Sequence, residues 1–252
     1  MEGSGSVTYV GHATTLIELD GARLLTDPVL GRYLGPLARR GRPPAAATVR
    51  DVDRVLVSHL HHDHADLRSL RRLGRGMRML VPPGSRGFFE RHGFAATTEL
   101  APGESAAVGA LTVTAVEAHH DGGRRRGAAD VQPIGFLVEG SRSVYFAGDT
   151  DLFPGMGDLA PGLDLALLPV WGWGPTLGAG HLDPRRAAEA AALLSPRLAV
   201  PIHWGTLYPL GLARLRPGRL HRPGEEFAAH LRELAPQVRT RVLSPGESTS
   251  LA

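Results

Sequence analysis

The feature that most constrains this chain is a short apolar run that stops at a histidine cluster. Arg54-Val55-Leu56-Val57-Ser58 leads directly into His59-Leu60-His61-His62-Asp63-His64, and helical spacing follows over 66–73. An apolar run of that length reads as a buried strand, so the cluster falls on a strand-to-helix loop. At this composition the pattern H-x-H-x-D-H has a chance expectation of roughly 0.001, far below that of most short motifs. Neutral imidazoles and carboxylates suit Zn²⁺, Mn²⁺ or Fe²⁺. Alternate residues at a strand end can present His59 and His61 to one ion while Asp63 and His64 face another.

Four residues cannot complete two metal sites, so further ligands are expected at other strand ends. The strand predicted at 111–117 ends in Ala118-His119-His120-Asp121, that at 144–147 in Gly148-Asp149-Thr150, and that at 198–202 in His203-Trp204-Gly205. The chain opens with strands at 7–10, 15–19 and 23–26, the last two joined by an Asp20-Gly21 turn. Others are expected at 79–81, 134–138, 164–170 and 238–243. Helices are fewer: 88–92, 225–234 and 185–194, the last with Asp183 as N-cap and Pro184 at the first helical position. Residues 28–51 are rich in Gly, Pro and Arg without periodicity, the signature of a functional or disordered loop. No fixed-period repeat and no linker divides the chain, so 1–252 is expected to be one α/β domain of packed sheets.

Composition excludes several chemistries. There is no Cys among 252 residues, which removes thiolate nucleophiles, disulfides and iron–sulfur clusters. There is no Lys, which removes Schiff-base catalysis, and all 28 basic residues are Arg. A net charge of +3, with 25 acidic residues interspersed, is no extended basic stripe, and nucleic acid is not an expected partner. The acidic, polar start carries no signal peptide and the longest uncharged stretch, 165–180, is too short and too broken by Pro and Gly to span a bilayer. A cytoplasmic protein with no membrane span is expected.

These segments together resemble the metallo-β-lactamase fold superfamily, nearest the branch similar to N-acyl-phosphatidylethanolamine phospholipase D and ascorbate-6-phosphate lactonase. The resemblance rests on Gly11-His12-Ala13-Thr14, Thr26-Asp27-Pro28, residues 58–66, Ala118-His119-His120, Phe146-Ala147-Gly148-Asp149-Thr150, Asp164-Leu165-Ala166-Leu167-Leu168-Pro169, His181-Leu182-Asp183-Pro184 and Pro201-Ile202-His203-Trp204-Gly205-Thr206. It implies an αββα four-layer sandwich, with mixed sheets packed face to face and helices outside, around a dinuclear site. By that resemblance His59, His61 and His120 hold the first ion, Asp63, His64 and His203 the second, and Asp149 bridges them. His120 is preferred to His119 because the family's ligand stands two residues after the small residue, here Ala118. The expected cofactors are two divalent ions, zinc first, with manganese or iron as alternatives.

A bridging hydroxide between two cations would attack a phosphodiester or related ester, with Asp63 orienting it or taking its proton. A lactonase opening a cyclic ester is the alternative reading, and a nucleic-acid-processing nuclease the less favoured one. The resemblance places His181 beside the metals, facing substrate, as a contact or proton donor. Val170-Trp171-Gly172-Trp173-Gly174-Pro175 departs from the branch, and Trp171 and Trp173 are read as a substrate wall. Residues 207–223, with Arg214, Arg216, Arg219 and Arg222, also depart from it. A small-molecule or lipid-like substrate is expected, and a homo-oligomer is compatible with the sequence. His12 and Asp27 are read as supporting residues near the rim; His92, His221 and His230 as surface residues; Arg39, Arg40 and Arg124-Arg125-Arg126 as solvated loops.

Overall fold

Strands whose every side chain is buried set the architecture of the computed structural model. Leu165–Pro169 and Leu198–Ile202 are buried at all five positions, as expected of strands covered on both faces. The structure describes residues 5–121, 131–174, 176–215 and 218–251. Arg124, Arg125, Arg126, Pro175 and Arg216 lie outside the described residues, and the side chains of Arg214, Arg219 and His221 are likewise not described.

The N-terminal half supplies β1 (Ser6–Gly11), β2 (Thr14–Leu19), β3 (Ala22–Thr26), β4 (Tyr33–Leu34), β5 (Leu37–Arg39), β6 (Arg54–Leu56), α1 (Leu67–Leu73), β7 (Met79–Val81), α2 (Arg86–Arg91) and β8 (Thr97–Glu99). The C-terminal half supplies β9 (Ser105–Val108), β10 (Leu111–Glu117), β11 (Ile134–Glu139), β12 (Ser143–Phe146), β13 (Leu165–Pro169), α3 (Pro184–Leu194), β14 (Leu198–Ile202), β15 (Leu207–Pro209), α4 (Leu212–Leu215), α5 (Gly218–Leu234), β16 (Arg239–Thr240) and β17 (Ser248–Ser250). Two mixed seven-stranded sheets result, ordered β17-β1-β2-β3-β6-β7-β8 and β16-β14-β13-β12-β11-β10-β9. The last strand crosses back to pair with the first, Val7 opposite Thr249.

Alternation along the strands sorts side chains into three apolar layers. Leu24, Leu56, Phe136, Phe146, Leu165 and Leu167 meet between the sheets. Leu25, Val55 and Val57 face outward against Leu70 of α1 and Phe89 of α2. Ala166, Leu168 and Tyr145 face outward against Ala187, Ala191 and Leu194 of α3 and Phe227 and Leu231 of α5. This is the αββα sandwich the sequence implies. The parallel runs β3-β6-β7 and β12-β13-β14 bring strand C-termini to one rim, the edge at which α/β sheets place their ligands.

Four readings of the sequence need correction. Residues 28–51 are not structureless: β4 and β5 form a small sheet with β15, Leu207 opposite Arg39. Arg39 is buried rather than solvated, its guanidinium donating to the carbonyls of Gly31, Val10 and Val29. A charge-bearing side chain there supplies donors that the irregular backbone otherwise lacks. The helix expected from 225 begins at Gly218 and continues through Pro223, and the strand expected over 238–243 pairs only at Arg239 and Thr240.

Candidate metal centre

The C-terminal ends of β6, β10, β12 and β14 and the β1–β2 turn converge on one cluster of imidazoles and carboxylates. His59, His61 and His120 form one group, and His12, Asp63, His64 and His203 another, the donor atoms within each lying within 4.8 Å of one another. In the first, His59 Nε2 and His120 Nε2 approach His61 Nδ1 at 2.9 and 3.2 Å. In the second, His64 Nε2 faces His203 Nε2 at 3.0 Å, and Asp63 Oδ2 lies 3.7 and 3.6 Å from those two nitrogens. Asp149 stands between the groups: its oxygens lie 3.2 Å from His64 Nε2, 3.3 Å from His203 Nε2, 4.0 Å from His59 Nε2 and 3.9 Å from His120 Nε2.

The far sides of the rings fix which nitrogen faces inward. His64 Nδ1 donates to Asp27 Oδ2 at 2.7 Å. Ser58 Oγ donates to the same oxygen at 2.6 Å and stands 3.0 Å from His59 Nδ1, whose proton it accepts. His120 Nδ1 donates to the Gly180 carbonyl and His203 Nδ1 to the Trp171 carbonyl, each at 2.8 Å. With those Nδ1 protons committed, the four Nε2 atoms turn lone pairs into the cluster. Asp149 Oδ1 is buried without a hydrogen-bond partner. Facing lone pairs at 3.0 Å beside an unsatisfied carboxylate oxygen are what a divalent cation relieves, so the donor set fits metal ions.

Electrostatics agree. Burial would raise the carboxyls of Asp63 and Asp149, but the surrounding histidines outweigh it and hold both well below the usual carboxylate range. His64 is pushed the other way: burial opposes its charge, yet Asp149, Asp63 and Asp27 raise it well above an ordinary imidazole. A proton there does part of what a cation would do. Burial first, then neighbouring imidazoles, lowers His59 and His61, and burial lowers His120 to about 4.

Local backbone serves this arrangement. His12, Asp27 and His203 sit in the left-handed region at φ 60°, 33° and 63°, a costly conformation that concentrates at functional sites. Gly148 (φ 63°) lets the turn carrying Asp149 press on the segment just after β6: a Cβ there would lie 2.6 Å from Ser58 Cβ.

All seven histidines and aspartates expected as ligands from the sequence are brought together here. His120 rather than His119 faces the cluster, since His119 Nε2 donates outward to Glu117 at 2.7 Å. His181 Nε2 lies 3.5 Å from Asp149 Oδ2 with its side chain 22% exposed. The two tryptophans separate: Trp171 is buried, its Nε1 donating to the Gly174 carbonyl, whereas Trp173 is 41% exposed. His12 and Asp27 are far more central than a rim position implies, both fully buried and both bonded to cluster residues. Their signal in the sequence is position, each following directly on a strand of the first sheet.

The model of the beta-lactamase superfamily domain matches residues 22–204. The chain belongs to the beta-lactamase superfamily. A superfamily relative in Rubrobacter xylanophilus, named a UPF0173 metal-dependent hydrolase, is 35% identical over 98% of this chain and 97% of its own. N-acyl-phosphatidylethanolamine-hydrolyzing phospholipase D 1 of Caenorhabditis elegans is 32% identical over 81% of this chain, which spans 64% of that protein's length. Igni18, a metallo hydrolase from Ignicoccus hospitalis, shares the fold, with a TM-score of 0.74, 23% identity and 98% of each chain covered. With this family membership and a histidine–carboxylate cluster, the chain is an enzyme of the superfamily's metal-dependent hydrolases.

Proposed function

We propose that the enzyme is a dinuclear metallohydrolase of one domain that cleaves a phosphodiester or a related ester. The observation that supports this best is the placement of Asp149 within about 4 Å of histidines from both groups. In this reading His59, His61 and His120 hold one ion, Asp63, His64 and His203 the other, and Asp149 touches both, with zinc the first candidate for each. Two such cations, when bound, would acidify a water molecule, polarise the scissile ester and offset charge on the leaving oxygen.

The chain's own residues supply the rest. Asp63, held ionised by its histidine partners, can orient the attacking water and accept its proton. His181 is the proton donor to the leaving oxygen. Its burial works against a charge, but the bond to Asp149 raises it above an ordinary imidazole. Trp173, whose indole is 41% exposed, is assigned to the substrate wall, where it would offer an apolar face. The phospholipase D named among the relatives supports a phosphodiester in a lipid-like molecule as the substrate class. Among the described residues no helix is long and apolar enough to cross a membrane.

The test is the initial rate on an activated phosphodiester with protein loaded in turn with Zn²⁺ and Mn²⁺, with Asp149→Ala as control. Metal-dependent turnover that the variant loses is the expected result. Turnover of a lactone but not the phosphodiester would move the assignment to cyclic esters, and metal-replete protein inert on both would overturn it. His181→Ala should lower kcat more than it raises KM, as loss of a proton donor requires, by about 10²-fold or more.

A further inference from the structure

Every imidazole just assigned to a metal through Nε2 has its far nitrogen tied down, and one buried imidazole in the same cluster does not follow that rule. His12 is fully buried, its Nε2 lies 2.9 Å from Asp63 Oδ2, and its Nδ1 has no hydrogen-bond partner. In His59, His64, His120 and His203 the Nδ1 proton goes to a hydroxyl, a carboxylate or a carbonyl. Were His12 Nε2 a metal ligand, its proton would sit on Nδ1, buried and unbonded, and orphaned buried N–H groups are rare. With the proton on Nε2, it is donated to Asp63 and Nδ1 keeps only an unused lone pair.

The backbone shows that this ring is placed deliberately. β1 is bulged between Tyr9 and Gly11, and Gly11 (φ 127°) is crowded on its open side, where a Cβ would lie 2.7 Å from Arg39 Nη1 and 2.8 Å from Thr206 Cγ2. The amide of His12 donates to Tyr9 Oη at 3.0 Å and Thr206 Oγ1 at 2.9 Å. Its carbonyl accepts from the His203 amide at 2.8 Å. His12 and His203 are thus both left-handed, bonded through their backbones, and in ring contact, with centroids 3.9 Å apart and planes tilted by 36°. The β1–β2 turn and the end of β14 form one unit that carries two rings to the same carboxylate oxygen, Asp63 Oδ2.

We propose that His12 is a positioning residue, an Nε2–H donor that fixes Asp63 Oδ2 at the second cation position without itself binding the metal. This rests on the two-cation reading of the site. Held at 3.6–3.7 Å from His64 Nε2 and His203 Nε2, Asp63 meets an incoming ion without a rotamer search, which is how partners behind a ligand raise affinity.

The proposal is tested by ring-nitrogen NMR of the zinc-loaded wild type labelled with ¹⁵N-histidine, alongside cobalt titration of metal-free wild type, His12→Phe and His12→Gln. The expected spectrum shows His12 protonated on Nε2, the opposite tautomer to His59, His64, His120 and His203. In the titration the wild type takes two equivalents. His12→Phe keeps one and weakens the other by about 10- to 100-fold, and His12→Gln, whose amide can still donate to Asp63, restores most of it. A proton on His12 Nδ1 overturns the proposal, as does unchanged binding of both equivalents by a folded His12→Phe. If His12→Phe does not fold, the tautomer decides alone. A wild type that takes one equivalent overturns the two-cation reading instead, and the NMR result remains separately readable.

Discussion

The two halves of the cluster differ in kind. The trihistidine group is neutral and the more open, with His61 half-buried; the group of His12, Asp63, His64 and His203 is the more closed, every member a buried residue, and holds a carboxylate. The first is tied back through a serine hydroxyl and a carbonyl, the second through the Asp27 carboxylate and a carbonyl. The closed half therefore has a stronger field and stiffer ligands, while the open half borders His181 and the entrance. On the two-cation proposal, an ion held by the closed half would act as a fixed electrostatic anchor, and substrate would exchange ligands at the open half.

Asp149 stands within about 4 Å of histidines of both groups, so its removal should erase the distinction. Asp149→Ala is expected to lose more activity than the ~10- to 100-fold typical of removing a residue that only backs a ligand, and to weaken both equivalents of metal. Isothermal titration of the variant with Zn²⁺ checks this; loss of a single equivalent would show that Asp149 belongs to one half.

Asp27→Asn should test the contrast. Asp27 bonds His64 directly and reaches His59 only through Ser58. Removing its charge is expected to weaken the closed half by about 10-fold or more and the open half less, so the gap between the two affinities narrows. Equal losses in both, read from the same titration, would break the proposed asymmetry.

Acidity shifts of both signs meet in the cluster. Burial lowers His120 from 6.5 to about 4 and His12 from 6.5 to about 3. Between those values and 6.5 the unfolded chain binds more protons than the folded one, so stability falls as pH falls through that window. The raised His64 does the reverse, contributing stability below 6.5 that is lost as pH climbs through its folded value. Metal-free protein should therefore have a thermal midpoint that peaks near neutrality and drops toward pH 4. A midpoint level across pH 6.5 to 4.5 would remove burial of neutral imidazoles as the cause. His120→Phe should flatten the acid limb and leave the alkaline limb in place.

How far the sequence carries can be judged at particular residues. Val55-Leu56-Val57 and the strands bearing Asp149 and His203 announce themselves because both faces are buried, which makes their apolar runs continuous. The alternation of Leu24 and Leu25 between two cores follows from strand geometry, and Asp183-Pro184 marks a helix start by local chemistry alone. Arg39 is illegible for the opposite reason: nothing local separates a buried guanidinium serving three carbonyls from a solvated one, because its partners at Val10, Val29 and Gly31 lie on other segments. Pro223 hides the first turns of α5, since the packing that sustains a helix through proline is tertiary. His12 is hard for both reasons at once, its meaning fixed by Asp63 and His203 from distant parts of the chain.

The smallest expected effect concerns the entrance to the open half. Trp171 and Trp173 look equivalent in sequence, yet Trp171 offers its carbonyl to His203 from a buried position while Trp173 is exposed. Trp173→Ala should then raise KM by about 5- to 10-fold, roughly 1 to 1.4 kcal/mol of binding, with kcat nearly unchanged, because an apolar wall binds substrate and transition state alike. Trp171→Ala should instead disturb His203 and lower metal affinity in the closed half. Steady-state kinetics with the activated phosphodiester, paired with zinc titration, separates the two. If Trp173→Ala lowered kcat, or Trp171→Ala changed KM alone, the entrance and the anchor would not be divided between these indoles, and the openness of the trihistidine half would have to serve something other than substrate entry.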